Sequence, residues 1–269
     1  MKEEKMVSSR DGTKLRCRKD VVENPKALIV ISHGLCEHLN RFDYFTGKLN
    51  ENGYSVYRYD QRGHGKSEGK RVFFNDFNEM PDDADVFVDM AREESNGKKV
   101  FLFGHSMGGE TVTLYGTKYP GKTDGIITSG ALTHYNNPLM GDQLPIEAPA
   151  DSYVPNSLGD GVCSDPKVIE AYIKDPLVEK QISIGLINQI YGGVQWLKKN
   201  VANFIDPVLI LHGADDGLVS VKDSLEFFEE IKSKDKSLRI YACLFHEILN
   251  EPCKDEIIAD ILLWLSKHI

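Results

Sequence analysis

Short apolar runs bounded by glycine, proline or charge recur along this chain and alternate with stretches of helical period. Ala27-Leu28-Ile29-Val30-Ile31-Ser32, Tyr54–Tyr59, Val100-Phe101-Leu102-Phe103, Gly125–Ser129 and Pro207–Leu211 read as buried strands, and Leu238–Leu244 as a further one. Helices are predicted over about 41–52, closed by Gly53, and over 82–95, 110–119, 221–233 and 254–267. Ahead of them, Met6–Ser9 and Thr13–Arg18 flank Asp11-Gly12, a hairpin signal. Strands that alternate with helices of this length predict an α/β chain with a mostly parallel central sheet flanked by helices. Ligands of such sheets gather at the strands' carboxyl ends.

The alternation breaks between residues 133 and 203. Pro138, Pro145, Pro149 and Pro155 interrupt its first half, and two helix starts follow, at Asp165-Pro166 and Asp175-Pro176. The second of these helices would carry Leu177, Val178, Ile182, Leu186 and Ile190 on more than one face, and Gly192-Gly193 would end or kink it. A segment apolar on two faces, inserted between the two halves of a sheet, suits a lid over an apolar pocket. The predicted organisation is therefore a core over 1–132 and 204–269 with an inserted helical cap over 133–203.

The chemistry concentrates where strands end. Gly104-His105-Ser106-Met107-Gly108 follows an apolar strand and precedes a helix, which is the G-x-S-x-G turn that exposes a nucleophilic serine. Such a serine needs a histidine to take its proton and an acid to orient that histidine, in the chain order serine, acid, histidine. Downstream, His212-Gly213-Ala214-Asp215-Asp216-Gly217 places two aspartates just past a strand, and His246 follows the last strand on a loop. Ser106, Asp216 and His246 fit that order, with Asp215 as the rival acid. Backbone N–H groups must also meet the oxyanion. The residue after the nucleophile, Met107, is one donor, and Leu35 in the His33-Gly34-Leu35 loop is the other candidate.

These segments resemble the α/β-hydrolases of the monoacylglycerol lipase and lysophospholipase group, also called serine aminopeptidase-like. The similarity runs through His33–His38 with Arg41, Asp60–Gly69, Gly104–Gly109, His212–Asp216 and His246–Glu251, in family order. It implies the α/β-hydrolase fold, the triad Ser106, Asp216 and His246, and the oxyanion donors Leu35 and Met107. Family spacing from Gly213 favours Asp216 over Asp215. It also implies that residues 133–203 shape an acyl tunnel, with Tyr172 of Tyr172–Leu177 facing the substrate's polar head or anchoring the cap. The expected reaction is hydrolysis of a carboxylic ester, most readily a monoacylglycerol, through an acyl-enzyme on Ser106 with no metal or organic cofactor. A short-chain carboxylesterase, a lysophospholipase, a proline-type aminopeptidase and a non-catalytic receptor on the same fold are the alternatives.

Composition narrows the partners. The 269 residues carry a formal charge of −9, which argues against nucleic acid and against electrostatic docking on anionic lipid. No apolar run reaches the length of a membrane span, although an apolar cap allows transient contact with a membrane surface. Met1-Lys2-Glu3-Glu4-Lys5 has no apolar stretch behind it, and the five scattered cysteines read as reduced thiols. Both point to the cytoplasm and neither assigns an oligomeric state, and the expected partner, a small-molecule ester, is what the resemblance implies. His33, His38 and His64 lack metal-ligand spacing. His33, His64 and His212 are expected to make structural hydrogen bonds, and Asp60–Ser67 to shape a loop rather than cradle phosphate.

Overall fold

The strands that form the centre of the molecule are those whose sequences leave no polar face. A computed structural model describes residues 1–269, with ten strands and seven α-helices. In chain order these are β1 (Lys2–Ser8), β2 (Lys14–Asp20), β3 (Ala27–Ser32), α1 (Asp43–Glu51), β4 (Tyr54–Tyr59), α2 (Glu79–Glu94), β5 (Lys99–His105), α3 (Met107–Lys118) and β6 (Gly125–Ser129). Then come β7 (Tyr153–Pro155), α4 (Pro166–Lys174), β8 (Gln181–Ser183), α5 (Ile184–Asn200), β9 (Val208–Gly213), α6 (Val221–Glu230), β10 (Lys236–Tyr241) and α7 (Lys254–Lys267). Eight strands make one sheet in the order β1-β2-β4-β3-β5-β6-β9-β10. The pairings from β4 to β10 are parallel, whereas β1 and β2 join as an antiparallel hairpin at one edge.

Side chains along each central strand alternate between two cores, as the two-residue period of a strand requires. Leu28, Val30, Val100, Leu102, Val208 and Ile210 point into one apolar cluster, which includes residues of α2, α3, α5 and α6. Their neighbours Ile29, Ile31, Phe101, Phe103, Leu209 and Leu211 point into the other, closed by α1 and α7. This is the α/β-hydrolase architecture, a mostly parallel sheet covered by helices on both faces. After β3 the chain pairs outward to β4 and then returns to the other side of β3 as β5. The loops that follow β3 and β5 therefore diverge around one crevice at the carboxyl edge, where ligands of such sheets bind.

Between β6 and β9 lies the segment with broken periodicity. Its first helix starts as expected, since the Asp165 side chain caps α4 by accepting the Lys167 N–H and Pro166 opens the helix. The second does not start at Asp175. Asp175 instead ends α4, and its carboxylate accepts the Leu177 N–H in a local turn and pairs with His38 Nε2 at 2.9 Å. Only β8 intervenes, pairing antiparallel with β7 from before α4, and α5 begins at Ile184, capped by Ser183. Gly192-Gly193 does not end α5, which runs on to Asn200. Gly193 has a packing role, because a Cβ there would lie 2.4 Å from Glu110 Oε1 on α3. α5 shares the main core, while α4 packs in a small cluster with Val162, Cys163, Val178 and Leu218. No helix is long and apolar enough to cross a membrane.

Candidate active site

Ser106 sits between the last residue of β5 and the first of α3 with φ at 56° and ψ at −119°. A non-glycine residue pays for positive φ in strain, and such strain persists only where the surroundings enforce it. Here the enforcement is close backbone packing. A Cβ on Gly104 would lie 2.1 Å from Gly108 O, and one on Gly108 would lie 2.2 Å from Ser32 O. Only glycine at both positions lets strand, turn and helix approach this closely. The turn thus holds the Ser106 side chain out on the wall of a cavity of about 590 Å³, which is lined mainly by hydrophobic residues.

The other residues singled out by the sequence converge on the same place. Leu35, Met107, Tyr172 and His246 line the cavity with Ser106. His246 Nδ1 lies 2.7 Å from Asp216 Oδ2. Asp216 Oδ1 accepts the N–H groups of Leu218 and Val219, each at 2.9 Å, and His212 Nε2 lies 3.1 Å from Oδ2. Its rival Asp215 is exposed. The His246 ring makes its hydrogen bond to Asp216 and none to Ser106 Oγ. Met107 N–H is the first of α3, so it points out of the helix towards the positive end of its dipole. The Leu35 loop is held by Glu37, whose Oε1 accepts the Gly34 N–H at 2.5 Å.

The charges are arranged to keep His246 basic. Burial alone would push the imidazole down, but the Asp216 carboxylate, its hydrogen bond, and the charges of Glu247 and Glu37 together raise it above the ordinary histidine value. Burial would likewise raise Asp216, yet His246 and His212 hold it well below the usual carboxylate range. The His105 ring lies tilted at 4.6 Å from that of His246 and places Nδ1 3.0 Å from Ser129 O. Burial, with the nearby His246 charge, lowers it well below the usual value, so it stays neutral beside His246.

Two carboxylates on the cavity wall share one cation. Arg41 donates to Glu37 Oε2 at 3.0 Å and to Glu247 Oε2 at 2.5 Å, and its guanidinium lies 4.9 Å from the centre of the Tyr172 ring. Burial first, and then the Glu247 charge, push Glu37 up to about 7 against the pull of Arg41. Tyr172 is buried, and its hydroxyl accepts from Asn156 Nδ2 at 3.0 Å, so it both lines the cavity and anchors its own segment. Sequence reasoning did not single out His105, Glu247, Tyr135 or Asn137 as cavity residues. The first two lie inside quoted motifs, whereas Tyr135 and Asn137 carry no local signal.

The expected bystanders are structural. His33 Nε2 accepts the Gln61 N–H at 2.9 Å, which leaves Nδ1 to donate to Gly34 O, and burial lowers its pKa to about 3. His64 is lowered to about 3 for the same reason. In the Asp60–Ser67 loop, the Asp60 carboxylate itself accepts the Leu39 and Lys66 N–H groups, each at 2.8 Å, where an anion would otherwise sit. No group of three His, Cys, Asp or Glu side chains is arranged to hold a metal ion.

Known proteins resemble this chain over most of its length. Residues 23–253 match the family described as serine aminopeptidase, S33. A monoacylglycerol lipase of Mycolicibacterium smegmatis is 30% identical over 252 residues, covering 91% of this chain and 90% of the relative. A monoglyceride lipase of Homo sapiens is 31% identical over 271 residues, covering 96% of this chain and 88% of the relative. The crystal structure of a Paleococcus ferrophilus monoacylglycerol lipase superposes with a TM-score of 0.82 at 30% identity, covering 95% of this chain and 99% of that one. The family match spans every segment that builds the cavity wall around Ser106, and the chain belongs to the serine aminopeptidase, S33 family of α/β-hydrolases.

Proposed function

We propose that this protein hydrolyses single-chain lipid esters, with monoacylglycerols as the leading substrates, through an acyl-enzyme on Ser106. The observation that carries the reading is the His246–Asp216 pair at 2.7 Å on the wall of the same apolar cavity as the strained Ser106. Lipase activity is what the names of the relatives from Mycolicibacterium smegmatis and Homo sapiens state of those proteins. In this mechanism His246 takes the Ser106 proton as Oγ attacks the ester carbonyl carbon. Asp216 holds the imidazole and stabilises its cation, while the Leu35 and Met107 N–H groups bind the oxyanion. Collapse breaks the ester C–O bond, and His246 gives its proton to the departing alcohol. A water then attacks the acyl carbon, losing a proton to His246, which returns it to Ser106 Oγ as the free acid leaves.

Residues 133–203 act in this reading as the cap, since Tyr135, Leu139, Met140, Leu158 and Tyr172 supply much of the apolar wall. Tyr172 would border the alcohol group, next to Glu37. An aminopeptidase would need a free carboxylate to hold the substrate's amine. Both cavity carboxylates, Glu37 and Glu247, are instead engaged by Arg41, which disfavours that alternative. The exposed Leu139, Val154 and Ile173 suit transient contact with a lipid surface. The five unpaired thiols fit a reducing compartment such as the cytoplasm. The test is kcat/KM on a medium-chain monoacylglycerol beside p-nitrophenyl butyrate, with Ser106→Ala as blank. Preference for the glyceride, lost in the variant, is expected. Preference for butyrate would mean a short-chain carboxylesterase instead.

A further inference from the structure

Asp223 is a fully buried carboxylate on the first turn of α6, far in sequence from the segment it holds. Its Oδ2 accepts three successive backbone N–H groups, from Thr133 at 3.0 Å, His134 at 2.9 Å and Tyr135 at 2.9 Å. Its Oδ1 accepts the Asn136 N–H and Asn136 Nδ2, each at 3.0 Å, and Thr133 Oγ1 donates to the Asp223 backbone oxygen at 2.8 Å. Winding four consecutive amides around one carboxylate forces Tyr135 to φ 63°. No cation pairs with Asp223, so these N–H dipoles alone offset the cost of burying it. A neutral side chain cannot accept all five bonds.

What hangs from this anchor is the wall of the cavity. The Tyr135 hydroxyl accepts the Met140 N–H at 2.8 Å and donates to Gly141 O at 3.2 Å. Leu139 and Met140, held by that turn, line the cavity around Ser106 and also an outer apolar recess of about 660 Å³. They therefore stand at the junction between the two spaces. Asn137, next along the chain, donates to Gly217 O at 2.7 Å and Leu218 O at 3.1 Å, on the loop that carries Asp216.

We propose that Asp223 is a positioning residue that fixes the first turn of the inserted segment and thereby sets discrimination between long and short acyl chains. A short acyl group fits beside Ser106 without reaching Leu139 and Met140, whereas a long one must pass them into the outer recess. The inference rests on the ester-hydrolase reading above, and its test separates the two. Asp223→Asn and Tyr135→Phe are compared with wild type on a long-chain monoacylglycerol and on p-nitrophenyl butyrate, with rates normalised to the fraction of chains labelled by a fluorophosphonate.

In Asp223→Asn, kcat/KM for the long-chain ester should fall about tenfold, chiefly through KM, while butyrate changes by less than about threefold. Tyr135→Phe should shift the ratio the same way by less. Equal losses on both substrates per labelled site, or an unchanged ratio, would overturn the proposal. Hydrogen exchange reads the anchor without any chemistry, and the amides of 133–136 should lose protection in Asp223→Asn. Protection equal to wild type would refute the anchor. If wild type turns over neither ester while those amides respond, the ester reading fails and the selectivity role falls with it, leaving only the structural anchor.

Discussion

The turn around Ser106 and the segment over residues 133–203 both face the cavity, but they are held by opposite means. At the turn, backbone packs on backbone, as Gly108 against Ser32 O illustrates. In the inserted segment, single side chains from distant parts of the chain hold exposed or irregular backbone. Asp223 grips residues 133–136, Asn188 exchanges hydrogen bonds with the Ile146 backbone, and Glu251 accepts the Ser164 N–H. Contacts of the first kind admit one residue type and leave no room for adjustment. Those of the second kind fix position while leaving neighbouring residues free to vary, which suits a segment that sets substrate range.

Substitutions at the two regions should therefore fail differently. The largest effect is expected at the reacting group, where Ser106→Ala should lower kcat by on the order of 10⁵-fold or more with the melting temperature unchanged. Asp216→Asn keeps the shape of the acid but lets the imidazole take the wrong tautomer, and should cost about 10⁴ in kcat at neutral pH. Gly108→Ala should not give a folded enzyme of altered selectivity at all. Its new Cβ meets rigid backbone, and a stability loss of about 4 kcal/mol or more is expected by chemical denaturation. A well-folded Gly108→Ala enzyme with shifted chain-length preference would erase the contrast between the regions.

Most of the fold and the candidate site was legible in the sequence for the same reason. Strands buried on both faces have to be apolar runs, so β3, β5, β6 and β9 announced themselves, and the glycines flanking Ser106 marked the turn. The order of Ser106, Asp216 and His246 followed from their placement after strands. The inserted segment was less legible because its signals are ambiguous locally. Asp175-Pro176 has the form of a helix start, but a tertiary contact with His38 and a local turn onto the Leu177 N–H make Asp175 a helix stop. Gly193 in α5 looked like a helix end, and its true constraint is a neighbour in space, Glu110. Asp223 gave no sign, since its partners lie some ninety positions away.

Two pH-dependent effects sharpen the comparison further. His246 must be neutral to act as base, and its pKa is raised above the ordinary value of 6.5. Activity on a short ester should therefore fall as pH drops, with its midpoint above 6.5, and a midpoint well below that would contradict the charge arrangement around Asp216. The smallest effect concerns Glu110, buried on α3 with neither carboxyl oxygen hydrogen-bonded. Burial raises its pKa well above the ordinary 4.5. Its folded value exceeds its unfolded one, so stability is full below the unfolded pKa and declines as pH rises through the folded one. Glu110→Met should raise the melting temperature by about 2–4 °C at pH 8 and by less at pH 5.

Everything proposed above depends on Ser106 being the activated nucleophile of an ester hydrolase. The most direct measurement is peptide mass spectrometry of the protein after fluorophosphonate treatment, with monoacylglycerol turnover followed in the same sample. One adduct per chain is expected, on Ser106, with turnover lost in proportion to labelling and no labelling in His246→Ala. Turnover that survives full modification of Ser106, or an adduct on a different serine that abolishes it, would rule out Ser106 as the nucleophile.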